Sequence, residues 1–190
     1  MATDNQVKVS ESFLRMTLPH IFNDATFVAN EHIAETPRRF VQMLQQMTSP
    51  EPFEFTTFDT EHDEMVVVRD IDFVSLCAHH IVPFIGKAHI GYIPRGQLCG
   101  LSKIARTVRF EAATLTVQED LTARIANFLE LKLVPHGVAV VLEAEHMCMA
   151  LRGVKAPGAL TTTSKMTGAF ADHTRLARSE FLQLIGRPHV

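Results

Sequence analysis

The sequence predicts an α+β protein, with helices at its N-terminus followed by one antiparallel sheet that carries helices between its strand pairs. Three observations lead there. Phe40, Met43, Leu44 and Met47 recur at helical spacing. From Met65 the pattern changes to strand-like runs bounded by turn residues. After Gly137, Val138, Val140, Leu142 and Ala144 alternate with period two.

Taken in order, the segment Ser10 to Phe22 predicts a helix interrupted at Pro19, because proline lacks an N–H and its ring crowds the preceding turn. Thr36 predicts an N-cap with Pro37 at the first helical position, and Ser49-Pro50 ends that run. Residues 50 to 63, with Pro52 and several acidic side chains, read as a loop. Met65 to Asp72 and Gly86 to Pro94 predict an antiparallel strand pair around a Cys77 to Pro83 connection. Leu101 to Ala113 and Val117 to Leu133 predict helices, the second with Leu121, Ile125, Phe128 and Leu129 on one face. A strand from Gly137 to about Met149 would place His146 and Cys148 on the same side as Val138. A last strand from about Leu160 to Phe170 and a short helix after Asp172 complete the order ββααββ-α. The expected division is an N-terminal helical extension, 1–50, and a catalytic domain, 51–190. A four-stranded sheet with an open edge invites pairing with another copy of the chain.

Composition narrows the function classes. The chain has 190 residues, 46% hydrophobic and 21% charged, with a net charge of -3 and no basic block, which argues against a nucleic-acid partner. No apolar run approaches the roughly twenty residues needed to span a bilayer, so no membrane partner is expected. Three cysteines without framework spacing, and a start from Met1 to Glu11 lacking a basic flank and apolar stretch, predict a reduced, cytoplasmic protein.

The chemistry concentrates in Cys77-Ala78-His79-His80 and, much later, His146-Met147-Cys148. Thiolate and neutral imidazole are the donors zinc prefers, whereas magnesium would take carboxylates and water. Two thiols and three imidazoles exceed what a closed tetrahedral site needs, so three would hold the metal and the spare histidines would do acid-base work. Spacing alone leaves open which histidine is the third ligand. Taken singly, each residue reads as a small buried thiol or a hydrogen-bonded core histidine. Five together, at the ends of apolar strands, make that reading costly.

These groups, with Val82-Pro83-Phe84-Ile85-Gly86-Lys87, Gly100-Leu101-Ser102-Lys103, Val117-Gln118-Glu119 and Arg152-Gly153, resemble the GTP cyclohydrolase I family from about Thr36 to the C-terminus. The resemblance implies a tunnelling fold, in which sheets of several subunits close into a barrel, and a homo-oligomer, a decamer of two stacked pentamers. It implies zinc on Cys77, His80 and Cys148, with GTP as substrate. The products would be formate and 7,8-dihydroneopterin triphosphate, at the first step of pterin, folate or deazaguanine synthesis. By the same resemblance His146 protonates the opening ring, His79 acts near the ribose, and Ser102 and Gln118 line the nucleotide site. Arg39, Lys103, Arg106 and Arg152 match phosphate-binding positions, where cationic donors suit phosphate oxygens.

Glu119 has two readings. Thr116-Val117-Gln118-Glu119 is a capping-box pattern, in which the carboxylate returns to the N-cap amide. The resemblance instead gives it guanine N1 and the exocyclic amine, a contact that adenine cannot satisfy. Three positions depart from the family pattern: Ala78 for a glutamate, Gln42 for a lysine and Asp120 for an arginine. None removes a proposed ligand or catalytic histidine. A nitrile reductase of the same superfamily would use a cysteine nucleophile and NADPH without this ligand set, and a purely structural zinc site would need a fourth closed ligand. Cys99 lies outside the ligand pattern and reads as an ordinary buried thiol.

Overall fold

The computed structural model describes residues 4–23, 30–172 and 176–186, and the chain divides into two compact units, Met1–Ser49 and Pro50–Val190. In the first unit, α1 (Asp4–Ile21) packs on α2 (Thr36–Met47). Pro19 does not interrupt α1, because it falls in the last turn, where few backbone bonds remain to be lost. The N-cap of α2 is Glu35 rather than Thr36, which moves Pro37 one position further in. Arg15 of α1 reaches the start of α2, donating to Ala34 O at 2.9 Å and pairing with the N-cap Glu35 at 3.5 Å, and it also pairs with Glu11 one turn back at 3.1 Å.

The second unit runs β1 (Thr57–Asp59), β2 (Val66–Cys77), β3 (Pro83–Ile93), β4 (Gln97–Cys99), α3 (Leu101–Ala112), β5 (Leu115–Thr116), α4 (Gln118–Leu133), β6 (Gly137–His146), α5 (Met147–Ala150), β7 (Leu160–Met166), a 3-10 turn (Gly168–Phe170) and α6 (Leu176–Ile185). The main sheet has the order β5-β2-β3-β6-β7; its four long strands are antiparallel and β5 joins β2 in parallel. A separate ribbon pairs β1 with β4.

The inward row Val138, Val140, Leu142 and Ala144 of β6 meets Ile104 and Val108 of α3 and Leu121, Ile125, Leu129 and Leu133 of α4 in the main core. Burying a row of such side chains contributes about 1.5–3 kcal/mol each before entropy is charged against it. The alternate row, Ala139 and Val141, faces Phe170 and Phe181, so α6 and the 3-10 turn cover part of the other face. Gly86 permits the close approach of β3 to β6, because a Cβ there would collide with Glu143 O and with Ala144. The β2–β3 register shifts between Val68 and Ile71, where Asp70 has φ 60° and its N–H donates to His89 Nδ1 at 3.2 Å.

Several strand boundaries correct the sequence reading: β2 runs on to Cys77, β3 begins at Pro83, β7 stops at Met166, and Thr57–Asp59 of the expected loop forms a strand. β6 stops at His146, and Met147–Ala150 winds into a single helical turn. Cys148 therefore reaches the site through that turn and not by strand alternation. The backbone leaves β7 behind here: Glu145 pairs with Leu160, and beyond it the ladder that would hold an extended strand is gone.

Candidate metal centre

Cys77 is the last residue of β2 and is buried. Its N–H donates to Val82 O, its carbonyl accepts from Ile81 N, and both distances are 2.9 Å, so the chain reverses tightly around Ala78, His79 and His80. Ile81 takes φ 55° to close the turn. A left-handed conformation is costly for a β-branched residue and is found where surrounding bonds impose it. β5 braces the same turn, because Thr116 O accepts from Ala78 N at 3.0 Å. Thr116 is in turn held by Arg124, whose guanidinium reaches Thr116 Oγ1 at 3.0 Å, Glu111 Oε2 at 3.0 Å and Glu111 O at 2.9 Å.

This turn brings His80 Nδ1 to 3.8 Å from Cys77 Sγ, and α5 brings in Cys148, so that the donor atoms of all three residues lie within 4.8 Å of one another. The set is two soft thiols and one imidazole, open on the His80 side, where the ring is exposed. Burial raises the Cys148 thiol pKa, and the neighbouring Cys77 raises it further, while the charge of Arg152 acts in the opposite direction. Two adjacent thiols resist ionising together unless a cation sits between them, and a bound zinc deprotonates coordinating thiols outright. The donor chemistry therefore fits a divalent soft metal with a vacant coordination position.

His146 closes β6 and is partly buried. Its Nε2 lies 2.8 Å from Gln118 Oε1, and its ring stacks on Phe84. Burial lowers the His146 pKa, favouring the uncharged ring, and the charge of Glu119 acts in the opposite direction. His79 is exposed next to His80, ring centroids 6.2 Å apart.

Glu119 sits exposed in the first turn of α4. It does not close a capping box: Val117 is the N-cap, no side chain caps the helix, and Thr116 Oγ1 donates to Val117 O at 3.0 Å. Its charge instead acts on His146. Ser102, Lys103 and Arg106 occupy α3, with Ser102 and Arg106 exposed and Lys103 Nζ donating to Glu54 O at 2.7 Å. Among the described residues no hydrogen bond ties these three to the Cys77 cluster. Arg152 is exposed just beyond α5, and Arg39 is exposed on α2 of the first unit. Sequence reasoning assigned no part to Phe84 or Arg124. Phe84 lies ahead of the expected strand start at Gly86, so its pairing with His146 was not legible, and neither was Arg124, whose partners lie in other elements.

The sequence profile of the family described as GTP cyclohydrolase I matches residues 12–186. A GTP cyclohydrolase 1 of Sulfurihydrogenibium sp. (strain YO3AOP1) is 48% identical over 177 residues, covering 92% of each chain. The GTP cyclohydrolase 1 of Aquifex aeolicus (strain VF5) is 45% identical over 187 residues, covering 97% of this chain and 98% of the relative. Among solved structures, the archaeosine synthase QueF-Like in the apo form superposes with a TM-score of 0.45 at 15% identity, over 57% of this chain and 96% of that one.

Proposed function

Because the chain belongs to the GTP cyclohydrolase I family, we propose that Cys77, His80 and Cys148, with His146 beside them, form the centre that opens the guanine ring of GTP. The products are formate and 7,8-dihydroneopterin triphosphate, which enters pterin and folate synthesis. One observation carries the assignment of this site: three soft donor atoms from two distant chain segments converge within 4.8 Å, with an open side.

Zinc is the metal this donor set suits. When bound, it supplies Lewis-acid chemistry, lowering the pKa of water toward neutrality at a site where C8 of guanine is attacked. The chain's own groups do the rest. His146, whose pKa burial lowers, passes a proton to the ring nitrogen as the imidazole ring of guanine opens. His79, exposed beside the metal turn, serves the ribose side in the same manner. Glu119 accepts from guanine N1–H and the exocyclic amine, and selects against adenine, which offers no such pair. Ser102 lines the nucleotide site with its hydroxyl. Gln118 works on the same site through His146.

Arg39, Lys103, Arg106 and Arg152 bind the triphosphate. By the family resemblance, the pocket they serve is assembled from more than one copy of the chain. The homo-oligomer is a decamer of two stacked pentamers, and the open outer edge of β7 offers the pairing that joins subunits into a ring. No helix among the described residues is long and apolar enough to cross a membrane.

Incubating the zinc-loaded protein with GTP tests the reading. Release of formate together with a pterin that becomes fluorescent on oxidation is the expected result. Zinc-replete protein that releases no formate, or that instead consumes NADPH with a nitrile substrate, would overturn it.

A further inference from the structure

Gln118 is 1% exposed, and both ends of its amide are committed to the protein. Nε2 lies 3.1 Å from Leu142 O, 2.9 Å from Thr161 O and 3.0 Å from Thr163 Oγ1, three acceptors for two hydrogens, so one N–H is shared between two of them. Two of these acceptors are backbone carbonyls, which cannot donate, so this end of the amide is the NH2 group. Thr122 sharpens the point. Its hydroxyl donates to Gln118 O at 2.7 Å, so in the 2.6 Å contact between the two hydroxyls Thr163 is the donor. The Thr163 oxygen is then left to accept from Gln118 Nε2. The hydrogen bonds thus run in one direction from the Gln118 side-chain amide through Thr163 and Thr122 to the main-chain carbonyl of Gln118.

With its NH2 fixed on that side, Gln118 turns its carbonyl oxygen to His146 Nε2 at 2.8 Å. An amide oxygen only accepts, so Nε2 carries the hydrogen, and in the neutral ring Nδ1 holds the free lone pair. We propose that Gln118 is a positioning residue: it holds His146 as the Nε2–H tautomer and leaves the Nδ1 lone pair to take up a proton released by the attacking water and pass it to the guanine ring nitrogen as the ring opens. Phe84 fixes the ring plane against which this hydrogen bond is aimed. A buried network with every member satisfied specifies one arrangement, and it does so here for a ring that would otherwise sample two tautomers. The inference rests on the reading of His146 as the proton-transfer group. It places Gln118 behind that ring and gives it no contact with the nucleotide.

The test uses the full-length, zinc-loaded protein with nitrogen-labelled histidine, observed by magic-angle-spinning NMR, the His146 signal being the one lost in His146→Ala. The expected wild-type signal has hydrogen on Nε2 and none on Nδ1 at neutral pH. Gln118→Met keeps the length of the side chain without a donor or acceptor. It should lose the tautomer preference and reduce kcat about tenfold or more, with zinc content and the KM for GTP unchanged. Thr163→Val should keep the wild-type tautomer and lose less kcat, because the carbonyl oxygen still faces His146. A wild-type signal with hydrogen on Nδ1 overturns the proposal without any variant. So does a Gln118→Met protein with normal kcat and raised KM, which would put the amide on the substrate. Undiminished turnover in His146→Ala would instead remove the catalytic role of His146, and the wild-type signal would still report on the Gln118 bond.

Discussion

Phe84 and His146 are cross-strand partners in the β3–β6 ladder, and their rings lie parallel, 2° apart in plane with centroids 4.7 Å from one another. Phe84 is fully buried, so one face of the imidazole is sealed against the core while the ring edge stays available. Replacing Phe84 by Leu keeps an apolar side chain but removes the flat surface. We expect a stability loss of about 1–2 kcal/mol, less than the ~3–5 kcal/mol typical of truncation to Ala. Turnover should fall further than the lost folded fraction explains, with zinc content unchanged. Denaturant melts and turnover per folded molecule measure the two effects separately.

Cys148→Ala leaves Cys77 and His80 as the protein ligands. Two ligands hold zinc poorly, so the metal and GTP turnover should disappear together. His146→Ala should behave differently, keeping about one zinc per chain while ring opening is lost. Metal analysis beside formate release distinguishes them, and a His146→Ala protein without zinc would mean that His146, not His80, is the third ligand.

Glu119 has no capping role to lose, since the N-cap of α4 is Val117 and no side-chain cap bond is present. Glu119→Ala should therefore keep the wild-type melting temperature and zinc content. Two guanine donors would lose their acceptor, at a cost on the order of 2–4 kcal/mol in binding and reaction, or at least about tenfold in GTP turnover. A destabilised protein with unchanged turnover per folded molecule would contradict the guanine contact.

Tyr92 offers a clean pH measurement, because it is the only tyrosine and the chain has no tryptophan. Burial, reinforced by Cys99 beside it, pushes its pKa from 10.0 up to about 12. A folded-state value raised above the unfolded one means that the stabilising contribution is fully present below pH 10 and is lost as pH rises toward 12. The near-ultraviolet phenolate absorbance of the folded protein should titrate close to 12 and shift down to about 10 on unfolding. Tyr92→Phe removes the bond from Cys99 N to the hydroxyl, and its stability gap from wild type should narrow across that same window. Phenolate appearing near 10 in the still-folded protein would show that the ring is wet.

The sequence by itself determined the parts governed by near neighbours along the chain. Side chains at helical spacing identified α2, and the apolar face of α4 was evident because Leu121, Ile125 and Leu129 lie a turn apart. Val138 to Ala144 declared the inward face of β6, because alternation is a property of any extended strand with one face on a core. The residue types in Cys77-Ala78-His79-His80 and His146-Met147-Cys148 announced soft-metal chemistry before any fold was known, though not which histidine is the third ligand. Tertiary structure decided what depends on distant partners. The ladder of β7 ends at Glu145, so the chain coils after His146 and delivers Cys148 through a helical turn. β5 takes Thr116 into the sheet beside Cys77, which spends the threonine on that contact and leaves Glu119 without a capping box to complete. The bond between Gln118 and His146 joins residues 28 positions apart. Local periodicity carries no information about such a pair; the packing of α4 on β6 creates it.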